Sequence, residues 1–359
     1  MIRRLGSLLF LLLILLTNGC EIGKTQAVGE DDEIIVFADS AVWYSSEAIF
    51  RDVFEDTVFT PIPERWFKLR WTPMEQFREF EKHKNRLIVG TLDGGGQVST
   101  YVQQALDSTV MALVEEGKEF FFVKYDSRAR GQLTMFMASP SISTLQVSMR
   151  HRAADLLYYF KRMSLKRELA AIEAERRYHK KEIEESLARR FGWSMTIQHD
   201  YWVAIDSSEE RFFWIRRANP ADMERWIWVH WIDNANPDTL TDRFVIRLRD
   251  ALTKKFLKTT DDNAYVEIAP YNLEIQTVDF LGRFAYEMRG NWRFSDKSGG
   301  GPFINYTFYD AETKRIYMLD GSIFAPRVEK KKLIIQVDGL LHTFNVVPTE
   351  RTKVADAGR

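Results

Sequence analysis

The stretch WIWVHW at residues 226–231 consists almost entirely of aromatic and β-branched side chains, a composition typical of a β-strand. Two similar runs, YWVAI at residues 201–205 and FFWIR at residues 212–216, precede it, and together they predict three successive strands. Because side chains alternate between the two faces of a strand, Trp226 and Trp228 should share one face. Such an aromatic face either forms a packed core or stacks on sugar rings and peptides, and we favour the core.

The strand pattern continues towards the C-terminus. Three strands joined by Gly-rich and Asp/Thr turns are predicted as an antiparallel meander at residues 283–294, 303–309 and 315–324. Thr239 or Thr241 is expected to cap a helix that runs to about Phe256. The closing segment at residues 330–344 is predicted as a further helix.

The first part of the chain mixes strand and helix patterns. Residues 33–37 are a short β-branched apolar run, typical of a buried strand. Ser45-Ser46 is expected to cap a helix over residues 47–54, and Thr72-Pro73 to open a second helix that reaches about His83. The alternation of strands and helices, followed by further strands, favours an α+β arrangement.

The segment between Pro140 and Gly192 contains no proline or glycine, and its apolar residues recur at spacings of three and four. This spacing predicts one long or once-broken helix over residues 148–191. The helix is rich in lysine and arginine. This positive charge indicates either a solvent-exposed helix face with ion pairs inside the helix, which we favour, or a surface that binds anionic lipid headgroups or nucleic acid.

Together these patterns predict an α+β fold in which two sheet-plus-helix halves flank the long basic helix. No residue-level repeat relates the two halves. The predicted segments are a signal peptide at residues 1–19, a flexible tether at 20–32, an N-terminal half at 33–147, the helix at 148–191, a C-terminal half at 192–345 and a polar tail at 346–359.

Composition excludes several classes of protein. The 359 residues include 50 basic and 51 acidic side chains, so no overall basic field favours nucleic acid as a partner. One cysteine permits neither an internal disulfide nor a cysteine-rich zinc site, and the six histidines show no zinc-hydrolase spacing. No serine-nucleophile motif occurs, and the turn at residues 93–96, DGGG, fits neither phosphate-loop pattern. We therefore predict no catalytic residue, no metal ligand and no cofactor.

The N-terminus has the features of a secretory signal. Arg3 and Arg4 precede an apolar run at residues 8–16 that is too short to span a bilayer, and Gly19-Cys20 follows. The pattern is similar to a bacterial lipoprotein signal, in which the cysteine is lipidated and becomes the mature N-terminus. An ordinary cleaved signal is the alternative. We predict lipidation at Cys20 and membrane attachment through its acyl chains.

One cluster in the meander is a candidate ligand-binding site. Arg289 offers a planar guanidinium for a carboxylate or phosphate, and Trp292 lies close to it in sequence. The glycines at positions 300 and 301 permit close backbone approach, and Pro302 and Phe303 follow them. The alternative, which we favour, is a hairpin whose glycines serve the turn and whose Arg289 pairs with a neighbouring acid. The predicted site comprises Arg289, Trp292, Gly300, Gly301, Pro302 and Phe303.

These motifs carry a resemblance to a known family. RGNW at residues 289–292, GGPF at 300–303 and IFAP at 323–326 resemble a lipoprotein family of the Bacteroidota that is known only as a domain of unknown function. Arg249-Asp250 also fits. The chain departs from the family pattern at Lys331, Ile335 and Asp338. The resemblance implies an envelope lipoprotein and brings no activity, cofactor or catalytic residue.

The sequence thus predicts a lipid-anchored cell-envelope protein, in the outer membrane and facing the periplasm or the cell surface, that binds or assembles an envelope component. Its expected partners are the membrane, through the N-terminal lipid, and an envelope protein or glycan. The alternative is a hydrolase of cell-wall or glycan material that uses carboxylates brought together by the fold.

Overall fold

The computed structural model describes residues 23–58, 60–220 and 223–347. The chain divides into two compact units. Unit 1 comprises Met1–Glu47 and Leu69–His151, and unit 2 comprises Ala48–Lys68 and Arg152–Arg359. Cys20 lies outside the described residues, so the predicted lipidation stays a prediction.

The helices of the described residues are α1 (Ser40–Phe54), α2 (Gln97–Ala105), α3 (Ser108–Glu115), α4 (Ile142–His151), α5 (Ala153–Ala174), α6 (Lys181–Phe191), α7 (Asp242–Phe256) and α8 (Lys331–Leu341). The strands up to the end of α6 are β1 (Glu33–Ala38), β2 (Thr57–Val58), β3 (Glu64–Arg65), β4 (Lys68–Thr72), β5 (Asn85–Thr91), β6 (Phe121–Tyr125) and β7 (Leu133–Ser139). The later strands are β8 (Trp193–Ser194), β9 (Trp202–Ser207), β10 (Phe212–Arg217), β11 (Glu224–Ile232), β12 (Val266–Ile268), β13 (Glu274–Phe280), β14 (Arg283–Phe294), β15 (Gly300–Asp310), β16 (Arg315–Phe324) and β17 (Asn345–Val346).

Unit 1 is built on a five-stranded sheet with the order β4-β1-β5-β7-β6. β1, β5 and β7 are parallel, and β6 is antiparallel to β7. β5 and β7 are buried along their whole length, as strands of a parallel sheet covered on both faces should be. One face packs into a core that contains Ile35, Phe37 and Ile88.

Unit 2 is built on an eight-stranded antiparallel sheet, in which β12, β14, β15, β16, β11, β10 and β9 are neighbours in that order and β13 also pairs with β14. Trp226 and Trp228 pack into the core on one face of the sheet, and Trp231 packs into the core on the other. The prediction that Trp226 and Trp228 share one face of β11 is therefore confirmed. α8 packs on the Trp231 face and contacts α5, whereas Val245 and Leu252 of α7 belong to the core on the Trp226 face.

The predicted α+β class, with a meander in the second half, is confirmed. α7 begins after Thr241, whose hydroxyl oxygen accepts a hydrogen bond from the Phe244 N–H at 3.2 Å. The helical stretch before Gly192 is divided into α4, α5 and α6 instead of being broken at most once. The second break lets the Lys180 N–H donate to the carbonyl of Ile197 at 2.8 Å, a bond that continuous helix would exclude.

The helix predicted after Thr72-Pro73 is reduced to a single 3₁₀ turn over Met74–Gln76. The residues that follow form separate turns, and carbonyls at the end of this segment accept a side-chain donor from elsewhere in unit 1. Gln132 Nε2 donates to the carbonyls of Glu81 and His83, at 2.8 Å in both cases. α1 also begins earlier than predicted, at Ser40, and no helix in the described ranges has both the length and the apolarity needed to cross a membrane.

Candidate functional site

Arg289 and Trp292 lie on opposite faces of β14. The Trp292 side chain is only 1% exposed, packs at a tilt against the Trp226 ring and donates from Nε1 to the carbonyl of Ile323 at 3.1 Å. Arg289 faces α8 instead, because three positions along a strand bring a side chain to the other face. The two residues do not converge on one surface.

The other predicted site residues lie in β15 and serve packing. Gly301 is opposite Trp292, and a Cβ at Gly301 would stand 1.8 Å from the carbonyl oxygen of Ile323. Pro302 is buried, and Phe303 lies beneath the guanidinium of Arg249 at 3.5 Å from its ring centroid. Gly300 is similarly close to the carbonyl of Trp292, at 2.5 Å from the position of an added Cβ. Their contact with any ligand stays a prediction.

Arg289 lies beside two carboxylates, one on its own strand β14 and one on α8. Its Nε donates to Glu287 Oε1 at 2.6 Å, and its Nη2 lies 3.5 Å from Asp338 Oδ2. The Arg289 side chain is 30% exposed, and the two acids are about 10% exposed. Gln276 Nε2 of β13 donates to the same Glu287 oxygen at 3.0 Å. The neighbouring acid considered in the sequence is thus present, together with a second one from a distant helix.

Asp338 is the centre of this network. Its Oδ1 accepts from the Tyr306 hydroxyl at 2.9 Å and lies 3.0 Å from His342 Nδ1. Burial acts to raise the pKa of Asp338, but the hydrogen bond and charge of His342 and the charge of Arg289 outweigh it and lower that pKa. Burial acts to lower the pKa of His342, yet Asp338 raises it overall. Burial and then the charge of Asp338 raise the pKa of Tyr306 well above its usual value.

Lys161 of α5 adds a second cation to this region. Its Nζ lies 4.1 Å from the ring centroid of Trp66, a distance at which the ammonium is attracted to the ring face. Burial, followed by the positive charge of Arg289, lowers the pKa of Lys161 to about 8. A cluster of ionisable groups with shifted pKa values is a recognised indication of a functional site. We define Lys161, Glu287, Arg289, Tyr306, Asp338 and His342 as the Arg289 cluster.

Of the Arg289 cluster, only Arg289 is in the set predicted from the sequence. Two local signals for the others exist. Glu287 and Arg289 are two positions apart on a strand and so share a face, and Asp338 and His342 are four apart on a helix. Nothing in the sequence brings these pairs together, because α8 and β14 are far apart in the chain.

A cavity of about 410 Å³ lies in unit 1, where the parallel strands β1 and β5 end beside the predicted glycine turn. Ligands of α/β sheets commonly bind at such an edge. Here, however, the carboxylate of Asp39 already accepts from the N–H groups of Val98 and Ser99 at 2.9 Å and from the Ser99 hydroxyl at 2.6 Å. A Cβ on Gly96 would stand 2.2 Å from that carboxyl group. The glycine turn therefore accommodates an internal carboxylate at the N-terminus of α2 rather than an external phosphate.

Within residues 23–58, 60–220 and 223–347, no group of three or more histidine, cysteine, aspartate or glutamate side chains is placed to hold a metal ion.

Two family models match the chain. Residues 27–173 match a domain of unknown function, DUF8532, and residues 180–343 match a second, DUF4837. This agrees with the expectation of a family without an assigned activity, whereas the bacterial group and the lipoprotein status stay predictions. No curated protein matches the chain significantly.

Several solved structures match part of the chain. LpqN of Mycobacterium tuberculosis, described as involved in cell envelope biogenesis, is 12% identical, with a TM-score of 0.28 and coverage of 44% of this chain and 83% of that one. The Saccharomyces cerevisiae Ran-binding protein Mog1p is 8% identical, with a TM-score of 0.30 and coverage of 45% and 93%. A Bacteroides thetaiotaomicron protein is 8% identical, with a TM-score of 0.25 and coverage of 45% and 47%. At these scores the matches carry no information about a ligand or partner.

Proposed function

We propose that the protein is a lipid-anchored cell-envelope protein that binds an acidic sugar of an envelope glycan at the Arg289 cluster. The anchoring part rests on the signal-like N-terminus that ends at Cys20. The binding part rests on one observation, the proximity of two cations, Lys161 and Arg289, in a partly buried setting.

The acids of the cluster do not neutralise Lys161 directly. Glu287 and Asp338 are engaged by Arg289, and Asp338 also accepts from Tyr306 and lies beside His342. Within the described residues Lys161 forms no salt bridge, although the charges of acidic groups act to raise its pKa. An anion between the ammonium and the guanidinium would relieve their repulsion and form charge-assisted hydrogen bonds with both.

Trp66 supports a sugar as the carrier of that anion. Its side chain is partly exposed, and it lies directly beside the Lys161 ammonium. An indole ring packs well against the apolar face of a sugar and leaves an N–H to donate. Carboxylates and phosphates are both suitable anions, because a guanidinium and an ammonium bind either one.

The binding test is a calorimetric titration of the mature protein with three sugars. We expect N-acetylmuramic acid or N-acetylglucosamine 1-phosphate to bind, and neutral N-acetylglucosamine to bind at least about tenfold more weakly, since one charge-assisted hydrogen bond contributes roughly 1.5–3 kcal/mol. Lys161→Gln should remove this preference. Arg162→Gln is the matched control, because Arg162 is the next residue of α5 and is exposed.

Equal affinity for the neutral and acidic sugars would contradict the proposal, as would an unchanged affinity in Lys161→Gln. Arg289→Gln is a second variant, and its unfolding midpoint is measured first because Glu287 and Asp338 lose their partner in it. If both variants fold and bind like the wild type, the cluster is not the site.

The anchoring test is a Cys20→Ala variant. Because only the cysteine thiol can carry the thioether-linked lipid, we expect the variant to move from the membrane fraction to the soluble fraction or to accumulate uncleaved. Mass spectrometry of the wild-type N-terminus should show a mass increase of acyl chains on Cys20. A mature N-terminus without acyl mass would contradict the anchor and leave the sugar-binding proposal standing.

Glycan hydrolysis stays the alternative function, and one observation favours it: the carboxylates of Glu287 and Asp338 both lie beside the same guanidinium. Glycosidases use two carboxylates, one of which must be protonated to act as the general acid. The lowered pKa of Asp338 suits a base or nucleophile rather than that acid. Release of reducing ends from an envelope glycan, lost in Glu287→Gln, would establish hydrolysis in place of simple binding.

A further inference from the structure

A second pair of cations lies in unit 2 on neighbouring strands. Arg217 of β10 and Arg225 of β11 are direct partners in the antiparallel register, so their side chains leave the same face of the sheet. This is the face whose core contains Ile215 and Ile227. Like charges directly opposite each other destabilise a strand pair unless something of opposite charge lies between or beside them.

Four buried donor atoms at this place form no hydrogen bond among the described residues: Nε and Nη1 of Arg225, the Tyr201 hydroxyl and Arg217 Nε. Arg225 is 5% exposed, and its Nε and Nη1 make no hydrogen bond; Tyr201 is 1% exposed, and its hydroxyl makes none. The two side chains are close enough that the charge of Arg225 acts on Tyr201. Buried polar groups in folded proteins are nearly always hydrogen-bonded, so an unmatched group of donors indicates a missing acceptor.

The acids nearby do not supply that acceptor. Asp200 Oδ2 lies 2.7 Å from Arg217 Nε as an ion pair without hydrogen-bond geometry, and Asp200 Oδ1 is buried without a donor of its own. Glu168 of α5 acts on Arg225 through its charge but has interactions of its own and accepts no hydrogen bond from the Nε or Nη1 of Arg225. Arg217 is 26% exposed and Asp200 19% exposed, so the place is open to solvent from the Arg217 side.

We propose that Arg225, Arg217 and the Tyr201 hydroxyl bind a small oxyanion, either inorganic phosphate or the carboxylate end of a small molecule. The anion accepts from one unmatched N–H of Arg225, since Nε–H and Nη1–H lie on different edges of the guanidinium, and from the tyrosine hydroxyl, and it enters past Arg217. The site is separate from the Arg289 cluster, and none of its residues belongs to the set predicted from the sequence. An oxygen anion suits the site, because two of its side chains are cationic and all the unmatched donors are N–H or O–H groups.

The test is thermal unfolding of the mature protein with increasing inorganic phosphate or acetate at constant ionic strength, with chloride as the balancing ion. All variants are made in the Lys161→Gln background, so that anion binding at the Arg289 cluster does not contribute. We expect the unfolding midpoint to rise with phosphate, with acetate, or with both, which identifies the preferred anion. Tyr201→Phe should weaken the apparent affinity about tenfold, since it removes one hydrogen bond to a charged acceptor.

Tyr201→Phe also gives a signature in the absence of the anion. Removing a buried hydroxyl without a partner should leave the midpoint unchanged or raise it, whereas a hydroxyl bonded only to water should cost stability when lost. Arg225→Gln should abolish the anion response. Arg216→Gln is the matched control. Arg216 precedes Arg217 on β10, so its side chain lies on the opposite face of the sheet, where it pairs with Glu224 at 2.6 Å. No response to either anion, or an equal response in Arg225→Gln and Arg216→Gln, would overturn the proposal.

Discussion

An Asp320→Asn variant is expected to lose about 3–5 kcal/mol of unfolding free energy, the range found when one partner of a buried ion pair is removed. Asp320 of β16 and Arg249 of α7 are both 0% exposed, and Arg249 Nε lies 2.7 Å from Asp320 Oδ2. The variant leaves a guanidinium uncompensated in the interior. Urea unfolding followed by circular dichroism measures the loss.

The size of this effect follows from the other contacts of the pair. Asp320 also accepts from Asn305 Nδ2 at 3.1 Å and from the Ser322 hydroxyl at 2.7 Å, and Arg249 lies over the ring of Phe303. No water can replace the lost carboxylate oxygen without reopening this packing. All of these groups lie within unit 2, so the loss should appear in its unfolding transition.

Two further variants serve as controls for this prediction. Glu210→Gln removes an acid from the exposed pair with Lys255, and we expect a change below about 1 kcal/mol. The double variant Arg249→Met with Asp320→Leu removes both charges and should recover much of the stability lost in Asp320→Asn. A loss below about 1 kcal/mol in Asp320→Asn would contradict the buried pair.

The strands of unit 2 were predictable because their signal is local. Aromatic and β-branched residues follow one another almost without interruption in β10 and β11, the pattern expected of strands that are covered on both faces. The short β13 was not predicted, since its EIQTVDF sequence is mostly exposed and polar. Its strand state comes from pairing with β14 along seven positions, which is a tertiary effect.

The Arg289 cluster shows the opposite case. Lys161, Arg289 and Asp338 come from three segments far apart in sequence, and their meeting depends on the contact of α5 with α8 and of α8 with the sheet. The sequence showed a basic helix and an arginine but not which charges approach each other. Likewise, Arg249 was noted for a resemblance only, and its burial against Asp320 became visible when α7 was placed on the sheet.

Gly301→Ala is expected to lower the free energy of unfolding by about 3 kcal/mol, at the upper end of the usual range for overpacking. The added Cβ would stand 1.8 Å from the Ile323 carbonyl oxygen on β16, and that oxygen also accepts the Trp292 indole N–H. Neither neighbour can move without breaking the other contact, because both belong to the central strands. Near-ultraviolet circular dichroism should report the altered packing of Trp292 against Trp226.

Gly95→Ala is the matched control for this substitution, since a Cβ there meets nothing within 4 Å. We expect it to change the unfolding free energy by less than about 0.5 kcal/mol, as for other exposed sites. A Gly301→Ala protein as stable as the control would show that β15 and β16 are not held so closely at this point.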